Sequence, residues 1–234
     1  MPRYLSWLNM PLQTWFEGAQ LKENPDAPDL DCDACTRSKF SATPEEATRY
    51  RDWKCCAFQP FVPNYLLGAI LEYRALPDPK NFVLTPIGLC PTLEYRERYE
   101  AVSDEQRGKE FACSFYDANT RRCTVWQHRP SECANYFCKS TDFFEARSRD
   151  LFEWEIGLAQ MALVDHGFTP EEIGMAMDWL DSASLEMQWD EPQAKKEEFY
   201  RSCWKWAQEQ KGKEILSWLA NDVQARFDTW VAFN

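Results

Sequence analysis

Glycine is scarce in this chain, with 8 among 234 residues, and no low-complexity tract interrupts it. That scarcity excludes a collagen-like chain, and 44% hydrophobic against 27% charged residues excludes a wholly disordered one. No apolar run approaches the roughly 20 residues that a bilayer-spanning helix requires. Positive charge is in deficit: 26 basic residues stand against 38 acidic ones, and the net charge of -12 repels nucleic acid and anionic membrane surfaces. Neither is expected as a partner. The start, Met1-Pro2-Arg3-Tyr4-Leu5, opens no uninterrupted apolar segment with a small-residue cleavage site. A soluble, cytoplasmic protein is therefore the expectation.

Catalytic signatures are missing as well. The chain holds no nucleotide-binding glycine loop, no Gly-x-Ser-x-Gly elbow and no His-Glu-x2-His helix. Whether it is an enzyme is left open, and any catalysis would have to come from a bound centre. Aromatics, in contrast, are plentiful. The 15 Phe, 11 Trp and 9 Tyr can build a sizeable core, since each ring buries on the order of 150–250 Å². The length suits one large domain or a compact pair.

Cysteine is the other abundance. Nine of the ten lie between Cys32 and Cys138, and only Cys203 falls beyond. In a reducing compartment such thiols serve as ligands or redox groups rather than structural disulfides, and core packing would have scattered them. Cys32-x2-Cys35 lets two sulfurs reach one ion without straining the turn, although a redox pair uses the same spacing. Cys55 and Cys56 are adjacent, which disfavours a mutual disulfide and lets the two sulfurs serve different partners. Cys113, Cys123, Cys133 and Cys138 then place four thiols within 26 residues.

The surrounding sequence divides into three parts. Residues 1–31 carry Trp7, Trp15 and Phe16 and then the loop-forming run Asn24-Pro25-Asp26-Ala27-Pro28-Asp29. Residues 32–140 form the cysteine-rich region and 141–234 a helical region packed on it. Thr43-Pro44-Glu45-Glu46 predicts a short helix toward Trp53, delivering Cys55 and Cys56 at its end. Tyr65 to Tyr73 reads as a buried helix. Phe82 to Thr85 reads as a strand stopped by Pro86 and Gly88. The segments Phe111 to Tyr116 and Cys123 to Trp126 flank Asp117-Ala118-Asn119-Thr120-Arg121 and predict a small hairpin with Cys113 and Cys123 on opposite strands. From Asp142 onward, three to five helices are expected, one opened by the capping box of Thr169-Pro170-Glu171-Glu172, with later ones over 193–210 and 213–231. The fold class that results is mainly α with a small β-hairpin.

The stretch Cys113-Ser114-Phe115-Tyr116-Asp117 through Cys123-Thr124-Val125-Trp126-Gln127-His128-Arg129-Pro130-Ser131-Glu132-Cys133 resembles the YkgJ-type cysteine-cluster family, whose members are described as zinc- or iron-chelating domains. The likeness covers about residues 32 to 138. It implies an early ligand group of Cys32, Cys35, Cys55 and Cys56 and a late one of Cys113, Cys123, Cys133 and Cys138. Nineteen residues separate Cys35 from Cys55 here, where the family spaces its early cysteines closely, and Trp126 stands where the family usually carries Tyr. Cys90 and Cys203 match nothing in the signature and read as core or accessory thiols.

The function expected is metal binding, through an iron–sulfur cluster of the [4Fe-4S] type or through zinc, because both accept thiolate sets. An excess of thiols over the four that zinc takes favours the cluster, although two zinc sites would use eight. The alternatives are an iron–sulfur-dependent enzyme acting on an unknown substrate, and an interaction module with structural zinc. Arg121, Arg122 and Arg129 are candidates to offset thiolate charge. His128 reads as an exposed loop residue more readily than as a ligand, and His166 as a residue of a helix C-terminus. Glu153, Glu155 and the run Lys195-Lys196-Glu197-Glu198 read as solvated faces, and the Trp and Phe stripes of the later helices as core.

Overall fold

The computed structural model describes residues 57–79, 81–103, 106–107, 110–117, 119, 122–134, 142–184 and 189–210. The helices expected over 43–53 and 213–231, and the aromatic segment and loop of 1–31, lie outside the described residues, as does Arg121. The described chain is mainly helical with a small antiparallel sheet. Its elements are β1 (Val62–Pro63), α1 (Asn64–Leu71), β2 (Phe82–Thr85), β3 (Gly88–Pro91), α2 (Leu93–Ala101), β4 (Tyr116–Asp117), β5 (Arg122–Cys123), a 3-10 turn (Trp126–His128), α3 (Ser131–Ala134), α4 (Asp142–Asp165), α5 (Pro170–Ser182) and α6 (Gln193–Glu209). Among them, no helix is long and apolar enough to cross a membrane.

Helix α1 is apolar on every side and every one of its residues is buried, as befits a helix enclosed by its neighbours. It has no side-chain cap from Pro63, so its first amides find other acceptors. The Asn64 amide donates to the Ile87 carbonyl at 2.9 Å, and the Tyr65 amide to Asn64 Oδ1 at 2.7 Å. Asn64 Nδ2 donates to the carbonyls of Pro86 and Ala159, each at 3.1 Å. One buried amide side chain thus joins the helix start to the β2–β3 turn and to α4.

Helix α6 crosses α1 closely. A Cβ at Gly68 would lie 2.0 Å from the Tyr200 carbonyl oxygen and 2.6 Å from Trp204 Cβ, so only glycine permits this approach. The Tyr200 hydroxyl donates to the Thr85 carbonyl at 2.8 Å, which ties α6 to the same β-turn. Strands β1, β3 and β2 form an antiparallel sheet in that order, with Val83 opposite Cys90 and Val62 opposite Leu89. All ten of these strand residues are buried. The core runs from Leu66, Ile70 and Phe82 through Leu158 and Ala162 to Tyr200 and Cys203 as one cluster.

The strand over Phe82–Thr85 and the helix within 65–73 match the sequence reading, but the sheet is larger than expected. Strand β3 carries Gly, Cys and Pro, and β1 is two residues long, so neither shows an alternation of its own. Burial on the core supplies what the pattern lacks. Helix α5 opens with the expected capping box: the Glu172 amide donates to Thr169 Oγ1, and the Thr169 amide donates back to the Glu172 carboxylate at 2.7 Å. Helix α4 ends beside His166, whose imidazole meets the Ala162 carbonyl and the Ser202 hydroxyl, each at 2.7 Å.

Candidate metal centre

Cys32, Cys35, Cys55, Cys56 and Cys138 lie outside the described residues. Cys113, Cys123 and Cys133 are described, and each is carried by a different local device. Cys113 precedes the hairpin rather than standing on it. The ladder pairs Tyr116 with Cys123 and Asp117 with Arg122, so the expectation of Cys113 and Cys123 on opposite strands is corrected. The Cys113 carbonyl accepts the Tyr116 amide at 2.9 Å, closing a turn that uses up the residues before the first strand. Asn119 donates its amide to Asp117 Oδ1 at 2.9 Å, the side-chain turn that Asp favours at a hairpin end.

Around Cys113 the contacts are specific. Its sulfur accepts the Phe115 amide at 3.5 Å, and the neighbouring Ser114 amide donates to Gln59 Oε1 at 2.9 Å. Gln59 is itself buried and donates its own amide to the Tyr95 hydroxyl at 2.6 Å. Burial raises the Tyr95 phenol, and the nearby Cys113 and Glu132 raise it further. Tyr95, Tyr99, Phe58 and Phe111 form an aromatic wall with ring centroids 5.0–6.3 Å apart.

Cys123 faces different neighbours. Thr124 donates both its amide and its hydroxyl to the Phe115 carbonyl, at 2.9 and 2.8 Å, and also receives the Arg74 guanidinium. Tyr73 is pushed up to about 12 by burial, lowered in part by Arg74 and raised by Cys123. Beyond Cys123 the chain turns inward, and here the sequence reading of His128 is corrected. The imidazole is 6% exposed, lies 3.3 Å from the Tyr73 hydroxyl and meets the Trp204 ring edge-on. Burial lowers its basicity. Arg129 is buried too, its guanidinium 3.4 Å from the Trp126 ring centroid.

Cys133 sits on the single turn of α3, and its amide donates to the Pro130 carbonyl at 3.0 Å. The start of that turn is held by Glu155 of α4. Ser131 donates its amide to both carboxylate oxygens at 2.9 Å and its hydroxyl to one of them at 2.7 Å. Glu155 is 0% exposed, so the reading of this residue as part of a solvated face is corrected. Its helical phase carried the signal: Leu151, Glu155, Leu158 and Ala162 are spaced on one face of α4, and the other three are core residues. Next to Cys133, burial pushes the Glu132 carboxyl up to about 7, against a hydrogen bond from the Phe61 amide that lowers it.

The two cysteines outside the family signature are buried, as Cys113 is. Cys90 and Cys203 are 0% exposed, whereas Cys123 and Cys133 are partly exposed. Burial pushes the Cys90 thiol up to about 12 and the Cys203 thiol higher still. Thiols so disfavoured as thiolates are poor ligands and serve as core. Among the described residues no three His, Cys, Asp or Glu side chains form a group able to hold a metal ion. No family model matches the chain, and no curated protein or solved structure shows a significant similarity to it.

Proposed function

We propose that this chain is a cysteine-cluster protein of the YkgJ type that holds a metal centre, an iron–sulfur cluster, with Cys32, Cys35, Cys55, Cys56, Cys113, Cys123, Cys133 and Cys138 as the thiolate pool. The observation that carries the proposal is the confinement of nine of ten cysteines to 32–138. A contrast among the described residues supports it: the unmatched Cys90 and Cys203 are sealed into the core as thiols, while Cys123 and Cys133 are partly exposed. The donor set fits, since cubane clusters and zinc both take about four thiolates.

When bound, a cluster would supply one-electron chemistry and would couple its cysteine ligands to folding. What the chain's own residues do is position the sulfurs. The Phe115 amide donates to Cys113 Sγ, the kind of bond that stabilises a thiolate and tunes a cluster's potential. Glu155 fixes the turn that bears Cys133, and the stack of Arg129 on Trp126 fixes the chain entering that turn.

The test is substitution with metal counting. Cys113→Ser, Cys123→Ser and Cys133→Ser should each lower the metal bound per chain, while Cys90→Ala and Cys203→Ala should leave it unchanged. Full metal content in the triple serine variant would remove Cys113, Cys123 and Cys133 from the centre.

A further inference from the structure

A cavity of about 390 Å³ opens between α2, α3, α4 and α5. That volume falls within the roughly 300–1,000 Å³ of small-molecule sites, which combine apolar walls with a few polar groups. Its wall is apolar, built largely from Phe58, Phe61, Phe152 and Ile156, and the Phe61 and Phe152 rings meet edge to face at 6.0 Å. Four charged residues line it as well: Glu132 from α3, Arg96 from α2, and Asp178 and Asp181 from α5. Three carboxyl groups thus stand against one guanidinium.

Arg96 offsets only part of that excess. Its Nη2 donates to the Asp181 carbonyl, which holds the guanidinium against α5, and its Nε is closed off from the cavity by burial. Among the described residues Arg96 forms no ion pair with any of the three acids, and no other cation pairs with them. Asp178 and Asp181 are exposed, whereas Glu132 is partly buried. Glu132 is also the best placed. The turn that bears it is pinned by the bonds from Ser131 to Glu155, and Glu132 accepts the Phe61 amide. One residue, Phe61, therefore sets the acid beside the aromatic wall.

A carboxylate against apolar surface is costly unless a cation pairs with it. An anionic ligand would add to the acidic excess, and a zwitterion would bring a further carboxylate with its ammonium. A bare metal ion is not called for either, since no three acidic, His or Cys side chains among the described residues form a group able to hold one. An organic cation answers both features, because aromatic faces attract cations and its hydrocarbon body fills the apolar space.

We propose that this cavity binds a small hydrophobic amine, a primary ammonium on an aryl or alkyl body. Its ammonium pairs with Glu132, its body lies against Phe61, Phe152 and Ile156, and Asp178 and Asp181 favour its entry at the rim. The placement of Glu132 by Ser131, Glu155 and Phe61 needs no metal, so this proposal and the metal centre can fail separately.

The test is calorimetric titration of the full chain, purified without oxygen, with 2-phenylethylamine. Saturable binding of one molecule per chain is expected. The neutral 2-phenylethanol, the anionic 3-phenylpropionate and the zwitterionic L-phenylalanine should each bind at least about tenfold more weakly, as loss of a charge-assisted bond implies. Glu132→Gln should weaken the amine at least about tenfold and bring it to the level of the alcohol. The double variant Asp178→Asn, Asp181→Asn, altered only at exposed positions, should weaken it less, and added salt should remove that smaller effect. If Glu132→Gln does not fold, the ligand series on the unaltered protein decides. No binding at roughly 10 mM 2-phenylethylamine, tenfold above a millimolar affinity, by protein with native circular dichroism would overturn the proposal. So would amine binding that folded Glu132→Gln retains in full, or binding that the alcohol, the anion or the zwitterion equals.

Discussion

Glu155 shows how one buried charge can organise a site through its neighbours. Its carboxylate accepts three hydrogen bonds from Ser131 and nothing of it reaches solvent. Removing it strands a buried amide and hydroxyl, so Glu155→Ala should cost about 3 kcal/mol, the range for hydrogen bonds to a charged group. Urea denaturation of the variant checks this, and Glu155→Gln, which keeps one acceptor oxygen, should recover part of the loss. His128 makes a prediction about pH. Burial holds its folded-state affinity for a proton below the ordinary value of 6.5, so the unfolded chain binds the proton more readily. The stabilisation is present above 6.5 and is lost as the pH falls from there through the lower folded value. His128→Phe should flatten that part of the stability–pH curve, measured by denaturation midpoints at several pH values. Both residues were misread from sequence for the same reason. A charged or basic residue near polar neighbours looks solvated, and only the packed partner, Ser131 for one and Tyr73 with Trp204 for the other, shows that it is not.

At the scale of elements, local chemistry was legible where it is self-contained. Thr169 and Glu172 close a capping box within four residues of sequence, and the β2 strand ends where Pro86 and Gly88 predict. The sheet as a whole was not legible, since β1 pairs with β3 across α1 and β2, a contact set by tertiary burial rather than by alternation. The hairpin was legible in its turn, through Asp117 and Asn119, but not in its register, which decides that Cys113 falls outside the ladder. The crossing of α1 and α6 gives the sharpest mutational test. At Gly68 the backbone of α6 is so near that Gly68→Ala must push the helices apart, and a cost of about 1–3 kcal/mol is expected, as for other overpacked cores. Gly174, on α5, meets nothing within 4 Å, so alanine there should be neutral or slightly stabilising and serves as the control in the same denaturation series.

For the whole molecule, the core binds the region around the late cysteines to the C-terminal helices. Cys113, Phe115 and Val125 belong to the same cluster as Leu158, Tyr200 and Cys203. Of the thiolate pool read from the sequence, the described residues include Cys113, Cys123 and Cys133. The sequence separated these from Cys90 and Cys203 by spacing; in the structure Cys123 and Cys133 are partly exposed, while Cys113 is buried as Cys90 and Cys203 are. Spacing can mark which cysteines travel together, but the identity of a metal depends on how many sulfurs converge and what surrounds them, which no spacing records. The most direct measurement of the central claim, a thiolate-held metal centre, is metal and acid-labile sulfide analysis with a visible spectrum on protein purified without oxygen. The account predicts a brown protein with iron and sulfide, since thiolate-to-iron charge transfer is coloured and zinc is not. Colourless protein with stoichiometric zinc would keep the centre and replace the cluster, whereas protein with neither metal would contradict the claim.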